Sequence, residues 1–249
     1  GFVPGCVAAD LEVSRDGYVY VYNYSPTPGE LWRISPEGEI VVLLHLDERG
    51  NIGMALDAQG KLYLGLPNGE IAWLDTNGTL QHHAWLHSWS MTFAADGYLY
   101  AVVGAGGEPR SVVRIVGRDS YRTLISQIDG KPLGGDTGYG PGSVHIDPAP
   151  GEGLYIYDES HKRVYYVDFD GQASVVADLP GIGAPAAMAV SPEGDIFVIP
   201  HSSDSYGFTL YRIDSDGDIE IYAREIYGDP LGAVVSSDGQ WLYISENGA

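Results

Sequence analysis

The chain has 249 residues, 44% of them hydrophobic and 19% charged, with 34 Gly and 15 Pro. Its 34 acidic residues stand against 13 basic ones, and the formal charge of −21 repels a phosphate backbone, which excludes nucleic acid as a partner. No run approaches the ~20 apolar residues of a membrane-spanning helix, and the single Cys6 rules out both an intrachain disulfide and a multi-cysteine metal centre.

The first predicted element is a hairpin over residues 11–21 (LEVSRDGYVYV), and five more copies follow at 54–64, 91–101, 144–156, 188–198 and 233–244. Each sets two short runs of aliphatic and aromatic residues on either side of a turn such as Asp16-Gly17, Asp96-Gly97 or Asp238-Gly239. The aromatic members Tyr20, Tyr63, Tyr100, Tyr155, Phe197 and Tyr243 recur at spacings of 43, 37, 55, 42 and 46 residues. A second hairpin signal follows each of the first five copies, at 31–44, 71–81, 112–125, 164–177 and 210–223. Two hairpins per period make a four-stranded propeller blade, and no helical periodicity is sustained anywhere. The expected fold is therefore all-β: one domain over 1–249, a six-bladed β-propeller of four-stranded antiparallel blades. The sixth copy runs out at residues 245–249 without an outer hairpin, so the last blade is expected to be incomplete and the chain to belong to a longer polypeptide or assembly. A five-bladed ring carrying residues 231–249 as an appendage is the other arrangement.

Residues 51–63 (NIGMALDAQGKLY) resemble the NHL-repeat pattern of Pro-x-Gly, an apolar triplet, Asp, a Gly turn and an aliphatic-Tyr pair. Residues 157–164 (YDESHKRV) resemble the Asp-Ser-x-x-His-Arg-Val segment of the same repeats, and 185–198 and 230–244 repeat the first pattern. The chain is thus similar to six-bladed propellers of the NHL and gluconolactonase/senescence-marker type. That resemblance implies a fold that hosts lactonases, lyases and plain binding scaffolds alike, and a periplasmic or secreted protein. In the lactonase-like relatives the x residues of Pro-x-Gly supply oxygen ligands to one divalent cation at the ring's mouth, which polarises a carbonyl. Counting back from the turn of each copy puts Ala9, Ile52, Trp89, Gly142, Ala186 and Leu231 at x, none with a side-chain oxygen. A slip of one residue brings in Asn51, Asp10 or Ser143. No metal site is expected at these positions, and the central opening is expected to be lined by small or apolar groups.

Other groupings read as structure. Asp214, Asp216 and Asp218 carry Gly217 at the wrong place for a calcium loop and read as an acidic hairpin turn at the outer rim. His82, His83 and His87 lie on an outermost strand and its exit, where adjacent side chains point opposite ways, and read as solvated histidines. Glu12 and His145 occupy one place in the innermost strands of two copies, where most equivalents are small or apolar, and are the candidates for proton transfer. The bland alternative is that neighbouring strands satisfy them and they fix blade packing.

The longer connections converge on one face of a propeller. There the sequence gathers Tyr24, Trp89, Tyr139, Asp158, His201 and Tyr206, aromatic planes beside polar groups that suit a small molecule, a sugar or a peptide. Two readings follow. The favoured one is a non-catalytic ligand- or protein-binding propeller with no cofactor. The other is a lactonase/esterase-type hydrolase or a lyase with displaced ligands for Ca²⁺.

Overall fold

The computed structural model describes residues 8–23, 28–47, 53–104, 109–134, 144–179, 185–200, 208–226 and 230–246. Among them there is no helix, and the strands fall into antiparallel sheets read in simple sequence order. The first sheet is β1 (Ala8–Val13), β2 (Val19–Asn23), β3 (Gly29–Ile34) and β4 (Ile40–Leu46). The second is β5 (Gly53–Leu56), β6 (Leu62–Gly65), β7 (Glu70–Leu74) and β8 (Leu80–Trp85). The third is β9 (Ser88–Phe93), β10 (Leu99–Val103), β11 (Ser111–Gly117) and β12 (Ser120–Ile125), after which β13 (Gln127–Ile128) and β14 (Lys131–Pro132) form a miniature hairpin. The fourth is β15 (Val144–Pro148), β16 (Gly153–Asp158), β17 (Arg163–Asp168) and β18 (Ala173–Asp178). The fifth is β19 (Pro185–Val190), β20 (Ile196–Pro200), β21 (Phe208–Ile213) and β22 (Ile219–Ile226). Finally β23 (Pro230–Val235) pairs with β24 (Leu242–Glu246) in a two-stranded sheet. The molecule is a β-propeller with five four-stranded blades and this shorter unit.

Innermost strands β1, β5, β9, β15, β19 and β23 neighbour one another in that order, and β23 returns to β1. Such a strand pairs within its own sheet on one side only, so alternate N–H groups on its free edge need other acceptors. Side chains of the preceding blade supply them. Asp10 accepts from Met54 N at 2.8 Å, Ser90 Oγ from Ile146 N at 3.2 Å, and Asp147 from Val190 N. The apolar core forms as a series of clusters between blades, such as Tyr100, Val102 and Val112 against Ile146, Ile156 and Tyr165.

One turn design closes the first five inner hairpins, and the sixth has one more residue in its turn. The backbone N–H of Ser14, Asp57, Ala94, Ala149, Ser191 and Ser236 donates to the carbonyl of Tyr18, Lys61, Tyr98, Gly153, Asp195 and Trp241, respectively. These bonds correct the expected register of the fourth copy by two residues: its turn begins at Ala149, not at Asp147. The x position of that copy is therefore Val144 rather than Gly142, which also carries no ligand atom. The connection from the third sheet to the fourth begins with the β13–β14 hairpin, whose Asp129-Gly130 turn has φ of 53° and 75° at its two central residues. Its flanks Ile128 and Leu133 are buried in the cluster just described.

Outward from the axis, a second rung repeats. The residue two positions before each second-strand aromatic meets the third-strand residue opposite that aromatic. Arg33 lies over Tyr18 at 5.0 Å, Lys61 over Trp73 at 4.0 Å and Arg114 over Tyr98 at 3.9 Å. Arg212 pairs with Asp195 at 2.8 Å. In the fourth blade the rung is Tyr166 on Gly153, where an added Cβ would sit 2.6 Å from the Tyr166 ring and 2.7 Å from the Val167 carbonyl oxygen. Gly153→Ala is therefore expected to lower stability by about 1–3 kcal/mol in urea unfolding, because the backbone oxygen cannot swing aside. A change below a few tenths of that would remove close packing as the reason for glycine here.

Candidate functional site

The inner strands carry the chemistry. In five of them the residue opposite the second-strand aromatic is read directly from the register: Glu12 opposite Tyr20, Ala55 opposite Tyr63, Thr92 opposite Tyr100, Asp147 opposite Tyr155 and Ala189 opposite Phe197, with Val234 opposite Tyr243 in the two-stranded sheet. Glu12 is thus equivalent to Asp147, which corrects its expected equivalence to His145. Strand side chains alternate, so the residues two positions earlier form a second level on the same faces: Asp10, Gly53, Ser90, His145, Ala187 and Gly232. The centre is not lined by small and apolar groups alone, as expected from x, but holds three carboxylates and a histidine.

β1 and β15 stand three places apart among the six inner strands, on opposite sides of the ring. Their acids nevertheless feel one another. Glu12 is held well above the ordinary glutamate range, first by desolvation and then by the charges of Asp10 and Asp147. Desolvation pushes Asp10 up to about 7, against the lowering effect of its hydrogen bonds from Met54 N and Leu11 N. Asp147 rises to about 8 by desolvation, with the charge of Asp10 adding to it and the bond from Val190 N opposing. All three, like His145, remain partly exposed. They line the axial lumen rather than a sealed core. All three hold their protons further up the pH scale than free carboxyls.

The lumen opens toward the connections. β2 ends at Asn23 opposite Ala8, β10 at Val103 opposite Ser88, β16 at Asp158 opposite Val144, and β20 at Pro200 opposite Pro185. Segments leaving these strands therefore start beside the beginnings of the inner strands, with Asp10 and His145 nearer that end than Glu12 and Asp147. Of the residues expected on this face, Tyr24, Tyr139, His201 and Tyr206 lie outside the described residues. Trp89 sits on β9 between Ser88 and Ser90, and its side chain is likewise outside them. Asp158 is buried, with one oxygen accepting from Ser160 N at 2.9 Å and Ser160 Oγ at 2.6 Å. Its other oxygen accepts from Gly134 N at 3.2 Å and lies 3.1 Å from His161 Nδ1. It ties the β16–β17 turn to the segment that follows β14.

The residues present do not fit the axial cation site that the resemblance implies. The x residues offer no oxygen, both Asp10 oxygens accept backbone N–H groups, and no cluster of three or more His, Cys, Asp or Glu among the described residues has metal-holding geometry. At the rim, Asp214 Oδ1 accepts from Asp216 N and Asp218 N at 3.0 and 2.9 Å, as an acidic hairpin turn should. His82 is not a solvated surface histidine. Its Nδ1 lies 2.8 Å from Glu70 Oε1 and its Nε2 2.9 Å from Asp119 Oδ1 in the next blade, whereas His83 points the other way, edge-on to Tyr63.

No family model matches the chain, and no curated protein matches it either. Solved structures do. A gluconolactonase from Xanthomonas campestris superposes with a TM-score of 0.71 at 15% identity, over 98% of this chain and 84% of that one. The calcium-binding protein regucalcin from Agrobacterium tumefaciens strain C58 gives 0.70 at 21% identity, over 97% and 82%. A catalytically inactive H270A virginiamycin B lyase from Staphylococcus aureus, solved with quinupristin, gives 0.65 at 13% identity, over 98% and 94%. The chain therefore shares the propeller fold of the gluconolactonase and regucalcin type, and two of these three similar structures are enzymes.

Two pH dependences follow. Unfolded, Asp147 ionises near pH 4; folded, it ionises near 8, so raising the pH between these values charges only the unfolded chain. Stability should fall across that window, by roughly 1.4 kcal/mol for each pH unit in which the two states differ by a full proton, and Asp147→Asn should flatten the fall in urea titrations. The Glu70 and Asp119 carboxylates raise His82. Its contribution is therefore complete below the ordinary histidine pKa and lost as pH rises through the raised one, and Asp119→Asn should shift the His82 NMR titration downward.

Proposed function

We propose that the chain is an enzyme built on a six-bladed ring, which opens an ester or lactone bond of a small molecule by proton transfer in the central lumen. The carrying observation is the convergence of Asp10, Glu12 and Asp147 from opposite inner strands, each with its proton held more tightly than usual. Asp10, close to half-ionised at neutral pH, takes a proton as water or a neighbouring group attacks; protonated Asp147 or Glu12 gives one to the departing oxygen. His145, on the same level as Asp10, orients the substrate at the mouth. Tyr24, Tyr139, His201 and Tyr206 from the connections and Trp89 from β9 hold its apolar and hydroxylated parts. No step is routed through a metal, because the residues at x lack ligands for one.

Similarity to a gluconolactonase and to a virginiamycin B lyase supports this reading over a purely binding role, and supplies the first substrates to try. Gluconolactone and quinupristin should be offered to the wild type, Glu12→Gln and Asp147→Asn. Turnover of either, with kcat falling about 100-fold or more in the variants and a rate limb near the pKa of Asp10, is the expected result. A wild type that binds these compounds without converting them, with affinity unchanged in both variants, would return the protein to the class of binding modules.

A further inference from the structure

The outermost strand of each of the first four sheets carries one bulged residue, Leu43, His83, Leu124 or Val176, left over where the register slips. The carbonyl of that residue meets the outer turn of the next sheet. At three of these four seams the turn offers a glycine: an added Cβ on Gly78, Gly171 or Gly217 would point at the oxygen of Leu43, Leu124 or Val176. The seam between the second and third sheets is built differently. There Asp119 holds the left-handed conformation, with φ of 52°, and its N–H donates to His83 O at 3.0 Å. Its carboxylate reaches back across the seam, accepting from Trp85 N at 3.2 Å and lying 2.9 Å from His82 Nε2. His82 Nδ1 is 2.8 Å from Glu70 Oε1 within its own sheet.

We propose that His82 is a proton-operated clasp, which fastens the third blade to the second while its ring is charged and releases it when the ring becomes neutral. Carboxylates only accept hydrogen bonds, so both contacts hold only while both ring nitrogens carry protons. The two acids are unequally shielded: the Glu70 side chain is 19% exposed and that of Asp119 49%. A hydrogen bond shielded from water is the stronger one, so the neutral imidazole keeps its N–H on Glu70 and turns a lone pair on Asp119. The contact that is lost is the one between blades. Hydrogen bonds to Glu70 and Asp119 raise His82, and the bond from His82 lowers Asp119, so the acid stays ionised while the histidine titrates. The other charged groups nearby do not take over the clasp. Neighbouring His83 turns to Tyr63, where burial and then the Lys61 charge lower it, and Arg118 lies beside Asp119 on the same turn. Only Leu86 and His87 join β8 to β9, whose Ser90 accepts from Ile146 N in the lumen wall, so the end of β8 released at this seam is tied directly to a lumen strand.

The amides of Trp85 and Asp119 bridge the seam and report on it directly. Hydrogen exchange of the full chain, read by mass spectrometry and corrected for the intrinsic rate, should show their protection falling about 2- to 5-fold between about pH 6 and about pH 9. Segments at the Gly171 and Gly217 seams, which hold no such cluster, should show no matching fall. His82→Gln should abolish the step. Asp119→Asn should abolish it too, because an amide accepts from the charged ring and donates to the neutral one. Asp147→Asn, which alters the lumen, should leave it in place. Constant protection across this range in the wild type, a fall that survives both clasp substitutions, or an equal fall at every seam would each overturn the proposal.

Discussion

Ring closure depends on how the free edges of the innermost strands are satisfied. Each of those strands is paired in its own sheet on one side only, and the N–H groups on the other side need acceptors of their own. The structure answers with acceptors from the preceding blade: Asp10 for Met54 N, Ser90 for Ile146 N, Asp147 for Val190 N. The offset is constant, one residue further along in the next strand. That constancy sets the stagger between blades, and with it the levels on which the lumen side chains meet.

Ser90 also shows what this task minimally requires. A neutral hydroxyl makes the bond at 3.2 Å without bringing a titratable charge into low-dielectric surroundings. Asp10 and Asp147 carry such a charge, and Glu12 adds a third within reach of both. Two carboxylates where a hydroxyl would suffice, and a further acid between them, destabilise the fold at neutral pH relative to serine in the same places. Structural need alone does not account for them.

Most of the architecture is legible in the sequence because its signals are local. Asp-Gly turns, alternating aliphatic and aromatic triplets and a period near 43 residues specify hairpins whose pairing needs no long-range knowledge. The site was half legible. Glu12 stands out as an acid in an apolar setting, but Asp147 looks like the start of the fourth turn and leaves His145 in the equivalent place, whereas β15 runs on to Pro148 and a turn of ordinary length begins at Ala149. The available signal was the i, i+2 pattern: Asp10 with Glu12, and His145 with Asp147, each on one face of a strand. Only the ring order, which no local pattern encodes, brings these two pairs to opposite walls of one lumen. The β13–β14 hairpin could have been found from Asp129-Gly130, but a two-residue strand carries too little periodicity to stand out from a glycine-rich loop. His82 read as surface because its partner Asp119 lies 37 positions away, on the turn of the next blade.

The protonation of the lumen bears on what can enter it. Asp10, Glu12 and Asp147 all keep their protons further up the pH scale than free carboxyls do, because burial disfavours their charged forms. The axis is therefore much less negative than the body that surrounds it. An anionic molecule is turned away by the outer field, and a strongly cationic one would stabilise the ionised acids and strip the lumen of the protons it needs to donate. The neutral ester or lactone we propose as substrate meets neither penalty. It loses little on leaving water, and it presents carbonyl and leaving oxygens that accept hydrogen bonds from protonated carboxyls. The same desolvation that makes these acids costly to fold thus favours a neutral group at the axis over a charged one.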